Sequence, residues 1–312
     1  MPSPPVFLVG AERSGTTLLG LMLGHHPLVA WAGEFTYAVD RIDAPNAWPD
    51  TGEYAAWIAR DRVFRAGRFA IDHSCTYPEL VDSFLSQCRR RAGKPLAGAT
   101  VHRNFDRLLR IWPDARLIHL VRDPRDVARS VVAMGWSGTM WHGVDRWLHA
   151  EAAWERLRDA TPESQRCEVR FEELIADAPR TLQRVCTFLG VGYSPAMLEY
   201  PGDTTYHPPD PRLVRQWERR CTTYEVQLAE ARLGSWLAAR GYEPSGRPAL
   251  RVSAAHKQAL RVRTRIRGIQ NRVHKFGWRL VLAEYITRRL HFQEWNAKLI
   301  RLLDIKESKF LK

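Results

Sequence analysis

The segment Gly10-Ala11-Glu12-Arg13-Ser14-Gly15-Thr16-Thr17 follows a short apolar run and precedes a helix-forming one. Glycines in such a turn let backbone N–H groups close on an anion, and the helix behind adds the positive end of its dipole. The spacing is that of the phosphate-cradling G-x-x-x-x-G-K-[ST] loop, with Thr16 where that pattern has lysine. The cation is instead Arg13, three residues earlier. Without the lysine, and with no clear acidic strand end to take Mg²⁺, ordinary ATP or GTP hydrolysis is disfavoured. A second segment, Leu117 to Ser130, runs from an apolar strand into a helix through Val121-Arg122-Asp123-Pro124-Arg125-Asp126. Pro124 suits a first helical turn and Asp123 suits its cap. Arg122 and Ser130 flank that turn, so both can reach one phosphate at the carboxyl edge of a parallel sheet. Read singly, each segment is also an ordinary βα turn, the second with a cap and surface arginines.

The elements that must hold these residues follow from apolar patterning. Val6–Val9, Leu28–Trp31, Leu96–Val101, Arg116–Val121 and Glu168–Phe171 read as short buried strands. Helices fit Thr16–Leu23, Gly52–Arg65, Tyr77–Ala92, Pro124–Met134, Val144–Leu157, Pro179–Leu189 and Thr222–Ala239. Short apolar strands alternating with helices imply an α/β fold, a P-loop-like three-layer sandwich with a central parallel sheet. The leader Met1-Pro2-Ser3-Pro4-Pro5 cannot be helical. The Gly- and Pro-containing run from Gly241 to Pro248 marks a break, so the expected domains are 1–244 and a basic amphipathic helical extension, 245–312.

Charge separates the same two parts. The 312 residues hold 47 Lys and Arg against 34 Asp and Glu; 17 of the basic and 4 of the acidic residues lie from Ser245 onward, leaving residues 1–244 neutral. Only Lys94 precedes Lys257, so cationic chemistry in the first part belongs to arginine or histidine. In the extension, Ala255, Ala259, Val262, Ile266, Ile269 and Val273 recur at helical spacing among arginines. Trp278, Leu282, Ile286 and Leu290 form a second stripe, and Phe292, Trp295, Leu299 and Leu302 a third that ends in Lys306, Lys309 and Lys312. Residues 255–312 therefore suit an anionic membrane surface or an acidic partner, or alternatively a helical hairpin packed on the core or in a homodimer. Nucleic-acid binding has only clustered arginine in its favour and no recognition motif. The five cysteines form no C-x-x-C pair, which points to a reducing compartment and no structural zinc. No apolar run reaches the ~18–20 residues of a spanning helix and no secretory signal is evident. A cytoplasmic protein, peripheral on the inner membrane face, is the resulting expectation.

Taken together and in this order, the two phosphate motifs resemble the PAPS-dependent sulfotransferase family, in its bacterial and Golgi-type branch. Arg13-Ser14-Gly15-Thr16-Thr17-Leu18-Leu19 is similar to that family's 5′-phosphosulfate loop, and Arg122 with Ser130 to its 3′-phosphate pair. Val169-Arg170-Phe171-Glu172-Glu173-Leu174, leading to Phe188-Leu189-Gly190, resembles a further family segment, and Trp217 and Gly241-Tyr242 its later landmarks. The resemblance covers about Val6–Glu243. It implies an enzyme that moves a sulfuryl group from PAPS to an acceptor hydroxyl on a glycan, lipid, tyrosine-like or other small molecule, releasing PAP without a metal. Arg13, Ser14, Gly15, Thr16 and Thr17 would hold the 5′ side of the cofactor, and Arg13 would also balance charge on the departing PAP. Arg122 and Ser130 would hold the 3′-phosphate.

The resemblance also places a general base at Glu34, in Ala32-Gly33-Glu34-Phe35, where glycine and aromatic neighbours lead us to expect a partly buried carboxylate. His25 and His26 are rival bases; a helix end and Pro27 beside them suit caps better. The family's lysine near the transferring group falls at Thr100-Val101-His102-Arg103-Asn104, which has none, leaving His102 or Arg103 to substitute. Phe171 stands where the family has tyrosine, and Arg215-Gln216-Trp217 lacks a late lysine. Trp136 to Trp141 form an aromatic, glycine-containing loop suited to stacking an acceptor. Two alternatives remain: a P-loop nucleotide kinase or phosphotransferase, and a non-catalytic PAP-binding, membrane-associated protein.

Overall fold

Val6–Val9, four apolar residues all buried, form β1, the centre of a five-stranded sheet in the computed structural model. The structure describes residues 3–43, 47–290, 292, 295, 299, 302, 303 and 306. The other strands are β2 (Val29–Glu34), β3 (Leu96–Val101), β4 (Arg116–Val121) and β5 (Arg166–Arg170). All pairings are parallel in the order β2-β3-β1-β4-β5, with Val9 opposite Val101 on one side and His119 on the other. Helices cover both faces, which is why β1 and β3 are continuous apolar or small-residue runs rather than alternating ones. The longer helices are α1 (Thr16–His25), α2 (Tyr77–Ala92), α3 (Pro124–Ala133), α4 (Asp145–Asp159), α5 (Ala178–Leu189), α6 (Thr223–Leu233), α7 (Ala254–Phe276) and α8 (Trp278–Arg289). The α/β fold with a central parallel sheet is the one expected.

The chain divides into two units, residues 1–127 with 145–220 and residues 128–144 with 221–312. The first contains the whole sheet. On one face Val6 and Leu8 pack with Leu19, Met22, Leu182 and Val185; on the other Phe7 meets Trp112 at 4.8 Å. Trp147 and Trp154 are buried here. His119 breaks the apolar run of β4. Fully buried, it lies 3.2 Å from the Glu151 carboxylate and 3.1 Å from that of Glu168, stacked on Trp154 at 4.3 Å.

Two helices expected to be continuous are interrupted. Gly52–Arg65 is split into Thr51–Ile58 and Arg62–Gly67, because Asp61 takes an extended backbone and its carboxylate accepts the Phe64 N–H at 2.9 Å, capping a new helix. Thr222–Ala239 ends its first part at Leu233, where Gly234 turns to φ +56°, and resumes at Trp236–Ala239.

In the second unit, α7 lies along residues 134–139. Arg267 donates to the Gly138 carbonyl at 2.8 Å, Lys275 to that of Met134 at 2.9 Å, and the Thr139 and Thr264 hydroxyls meet at 3.1 Å. A Cβ on Gly138 would sit 2.6 Å from the Thr264 backbone, so the close approach needs glycine there. The start of the aromatic loop is thus gripped by the basic helix. Lys309 and Lys312, and most of the third expected stripe's neighbours, lie outside the described residues, as do Met1 and Pro2.

Candidate active site

The five strands end together, and a site residue stands at or just beyond each carboxyl end. Gly10 follows β1, Glu34 closes β2, His102 follows β3, Arg122 follows β4 and Phe171 follows β5. That edge is where open α/β sheets take ligands, because helix N-termini and loops converge there.

The loop after β1 needs unusual backbone. Gly10 has φ +151° and a Cβ there would lie 2.4 Å from the Leu120 carbonyl oxygen; Arg13 and Gly15 are left-handed at φ +72° and +96°. The turn delivers the chain to α1, whose first turn has no acidic residue and no side-chain cap, so its leading N–H groups face the loop's mouth. Ser14 is fully buried and its Oγ has no hydrogen-bond partner among the described residues. A buried hydroxyl without a partner costs stability unless something completes it. An anion seated on this turn would do so. Thr16, the first residue of α1, is buried and Thr17 is exposed.

Arg122 joins the two motifs. Its guanidinium donates to the Arg13 carbonyl at 3.1 Å and the Leu213 carbonyl at 2.6 Å, and lies 3.7 Å from the Asp126 carboxylate. Burial pushes the Asp126 carboxyl up, against the opposing pull of Arg122. Beneath, the Phe171 ring faces the guanidinium at 4.2 Å, and a Cβ on Gly15 would meet the same ring at 2.3 Å. Next along, Asp123 caps α3 through the Arg125 N–H at 2.9 Å and holds the Arg125 guanidinium, which stacks on Trp217 at 3.8 Å. Trp217 donates its indole N–H to Asp123 at 3.0 Å and its backbone N–H to Asp126 at 2.8 Å. The sequence shows both acids and the tryptophan but not their convergence on this turn, which only folding brings about. Ser130, on α3 and half-buried, belongs to the second unit.

Glu34 and His102 face each other. His102 donates from Nδ1 to the Gly10 carbonyl at 3.1 Å, and its Nε2 lies 3.8 Å from Glu34 Oε1. The imidazole is 8% exposed and the carboxylate 57%, so Glu34 is open rather than partly buried as expected. Gly33 at φ +77° and a register shift between Trp31 and Glu34 form a bulge in edge strand β2, after which Glu34 pairs with Thr100 and the Phe35 N–H donates to the Thr100 carbonyl at 2.8 Å. Arg103, the other candidate for the missing lysine, turns away to a two-point ion pair with Asp40. A cleft of about 410 Å³ opens beside His102, bounded by Glu12, Arg103, Arg146, His149 and Ala153. Arg146 in turn pairs with Glu12, the acid of the phosphate loop.

The rival histidines bond to the main chain. His25 donates to the Leu21 carbonyl at 2.8 Å; His26 donates to that of Gly192 at 2.8 Å and accepts the Leu28 N–H at 3.1 Å. Lys94 closes the same corner, donating to the carbonyls of Gly24, His26 and Val29 at 2.8, 2.9 and 3.1 Å. Among the described residues no three His, Cys, Asp or Glu side chains converge as a metal site.

A parallel sheet with a glycine-bearing loop, an uncapped helix start and a buried arginine at one edge is an α/β arrangement suited to seating an anion. The model of the sulfotransferase family matches residues 4–195, and the chain belongs to that family; it is a sulfotransferase. It is 24% identical over 280 residues to protein-tyrosine sulfotransferase 1 of Danio rerio, covering 78% of this chain and 74% of that one. It is also 24% identical over 261 residues to the omega-hydroxy-beta-dihydromenaquinone-9 sulfotransferase Stf3 of Mycobacterium bovis, covering 64% and 67%. The sulfotransferase domain from the curacin biosynthetic pathway superposes with a TM-score of 0.54 at 15% identity, over 78% of this chain and 99% of that one, which shows a common fold.

Proposed function

We propose that this sulfotransferase moves a sulfuryl group from PAPS to an acceptor hydroxyl, with Glu34 as the base. The observation that carries the reading is the bond from Arg122 to the Arg13 carbonyl, which makes one site of the two phosphate motifs. When bound, PAPS supplies the sulfuryl group and is left as PAP. Ser14 Oγ and the N–H groups of Gly15, Thr16 and Thr17 hold the 5′-phosphate side, and Arg13 balances the charge that grows there as the sulfur–oxygen bond breaks. Arg122 takes the 3′-phosphate; Ser130 is assigned with it from the sequence motif alone. Glu34 accepts the hydroxyl proton as the acceptor oxygen bonds to sulfur. His102, fixed through Nδ1 by the Gly10 carbonyl and with Nε2 turned toward Glu34, supplies as the imidazolium the cation that the family places on lysine.

The acceptor enters by the cleft beside His102. The relatives named above are a protein-tyrosine and an omega-hydroxy-menaquinone sulfotransferase, so a phenolic or alkyl hydroxyl is the chemistry they share with this reading. Calorimetry with PAP and with ADP, with and without Mg²⁺, tests the donor site. Metal-independent preference for PAP, lost in Arg122→Ala, is expected; equal binding of the two, or a need for Mg²⁺, favours the kinase-like alternative. Glu34→Gln should bind PAP normally and transfer sulfate about 10²–10³ times more slowly. Normal PAP binding with no transfer by the unaltered protein to phenolic, alkyl or sugar hydroxyls would favour the non-catalytic alternative.

A further inference from the structure

Helix α7 has two unlike faces. Leu260, Thr264, Arg267, Asn271 and Lys275 fall on the side that meets residues 134–139 of the same unit. On the opposite side Ala255, Ala259, Val262, Ile266 and Ile269 recur at intervals of four and three, which keeps them in one row. The row is open: Val262 is 45%, Ile266 50% and Ile269 61% exposed. Helix α8 adds an outward row of its own, with Trp278 60%, Leu282 47% and Tyr285 47% exposed. A folded protein seldom leaves so many large apolar side chains in water without a use for them.

The charge around these rows has one sign. Arg261, Arg263, Arg265, Arg279 and Arg289 are exposed around them. The only acid from Ala254 to Arg289 is Glu284, which is buried and paired with Arg272 at 3.0 Å and Arg288 at 3.7 Å. A second copy of this face would oppose arginine to arginine. A single acidic helix would fill one row and leave the other wet. An anionic bilayer surface takes both, accepts Val, Ile and Leu below the headgroups, and suits Trp and Tyr at their level. No described helix is long and apolar enough to cross a membrane, so seating is from one side.

We infer that the outer face of α7 and α8 is a docking surface for anionic phospholipid, entered by Ile266, Ile269, Trp278 and Leu282 and held by the flanking arginines. This goes beyond sulfuryl transfer and does not depend on the donor or the base. The test is flotation of the full chain with vesicles of phosphatidylcholine alone and with about 30% phosphatidylglycerol. Flotation with the anionic vesicles only is expected. About tenfold weaker partition is expected both for Ile266→Ser with Ile269→Ser and for Arg261→Gln, Arg263→Gln and Arg265→Gln together. All altered side chains are exposed, and unchanged near-ultraviolet circular dichroism confirms that each variant is folded. Failure of the folded protein to float overturns the inference. So does equal partition of the isoleucine variant, which would mean charge adsorption without seating. A concentration-dependent dimer abolished by the same isoleucine changes, with no vesicle binding, would assign the face to a second copy instead.

Discussion

Phe171 touches both phosphate motifs, with its ring against Gly15 and under the Arg122 guanidinium. Gly15→Ala therefore drives a methyl into that ring, at a left-handed φ that alanine resists, and should weaken PAP binding at least about tenfold. In the Gly15→Ala/Phe171→Ala double variant the two losses should be less than additive, read by calorimetry, because the ring that blocks the methyl is gone. Full additivity would mean that the backbone alone sets the loop. In sequence, Phe171 registered only as a tyrosine without its hydroxyl. Spacing along the chain identifies a phosphate loop, but not which ring 156 residues later lies against its glycine. Glu34 was legible as a candidate from its place after the loop. Its exposure was not, since that follows from the bulge at Gly33, at the end of an edge strand. His102 was likewise visible as a residue lacking lysine's amine, whereas the Gly10 carbonyl that aims it is a product of folding.

At the level of elements, apolar runs located β1, β3 and β4 to the residue, because strands covered on both faces leave little room for polar interruption. Their order was not legible; it emerges from helices crossing on two faces, and it brings five loop starts to one edge. The interrupted helices show the limit from the other side: a local cap at Asp61 outcompetes a continuous helical pattern. His119 ties β4 to β5 and α4 by charge instead of by packing alone. Burial lowers its proton affinity, but Glu151 first and Glu168 second outweigh that, leaving the folded pKa raised above the ordinary ~6.5. A raised folded pKa means stabilisation fully present below the unfolded pKa and lost as pH climbs through the folded one. The thermal midpoint should therefore fall as pH rises above about 6.5, and a His119→Gln/Glu151→Gln variant should lose that slope. A wild-type midpoint flat across that range would show that the three groups do not share a proton-dependent contact.

Across the whole molecule, charge and chemistry are carried by different stretches of chain. Residues 1–244 are neutral and place only a few arginines in the two phosphate motifs, while the excess of positive charge belongs to residues 245–312. Lysine follows the second pattern: six of the seven stand at Lys257 or later. The seventh, Lys94, spends its ammonium hydrogens on three main-chain carbonyls at the end of α1. Side-chain acylation by an amine-selective ester should accordingly modify the C-terminal helices first, and peptide mapping after brief treatment would show Lys94 among the last to react. For a biosensor or an affinity matrix, that makes a surface of amine-selective esters a way to tether the protein mainly by its C-terminal lysines, since the phosphate loop carries no lysine.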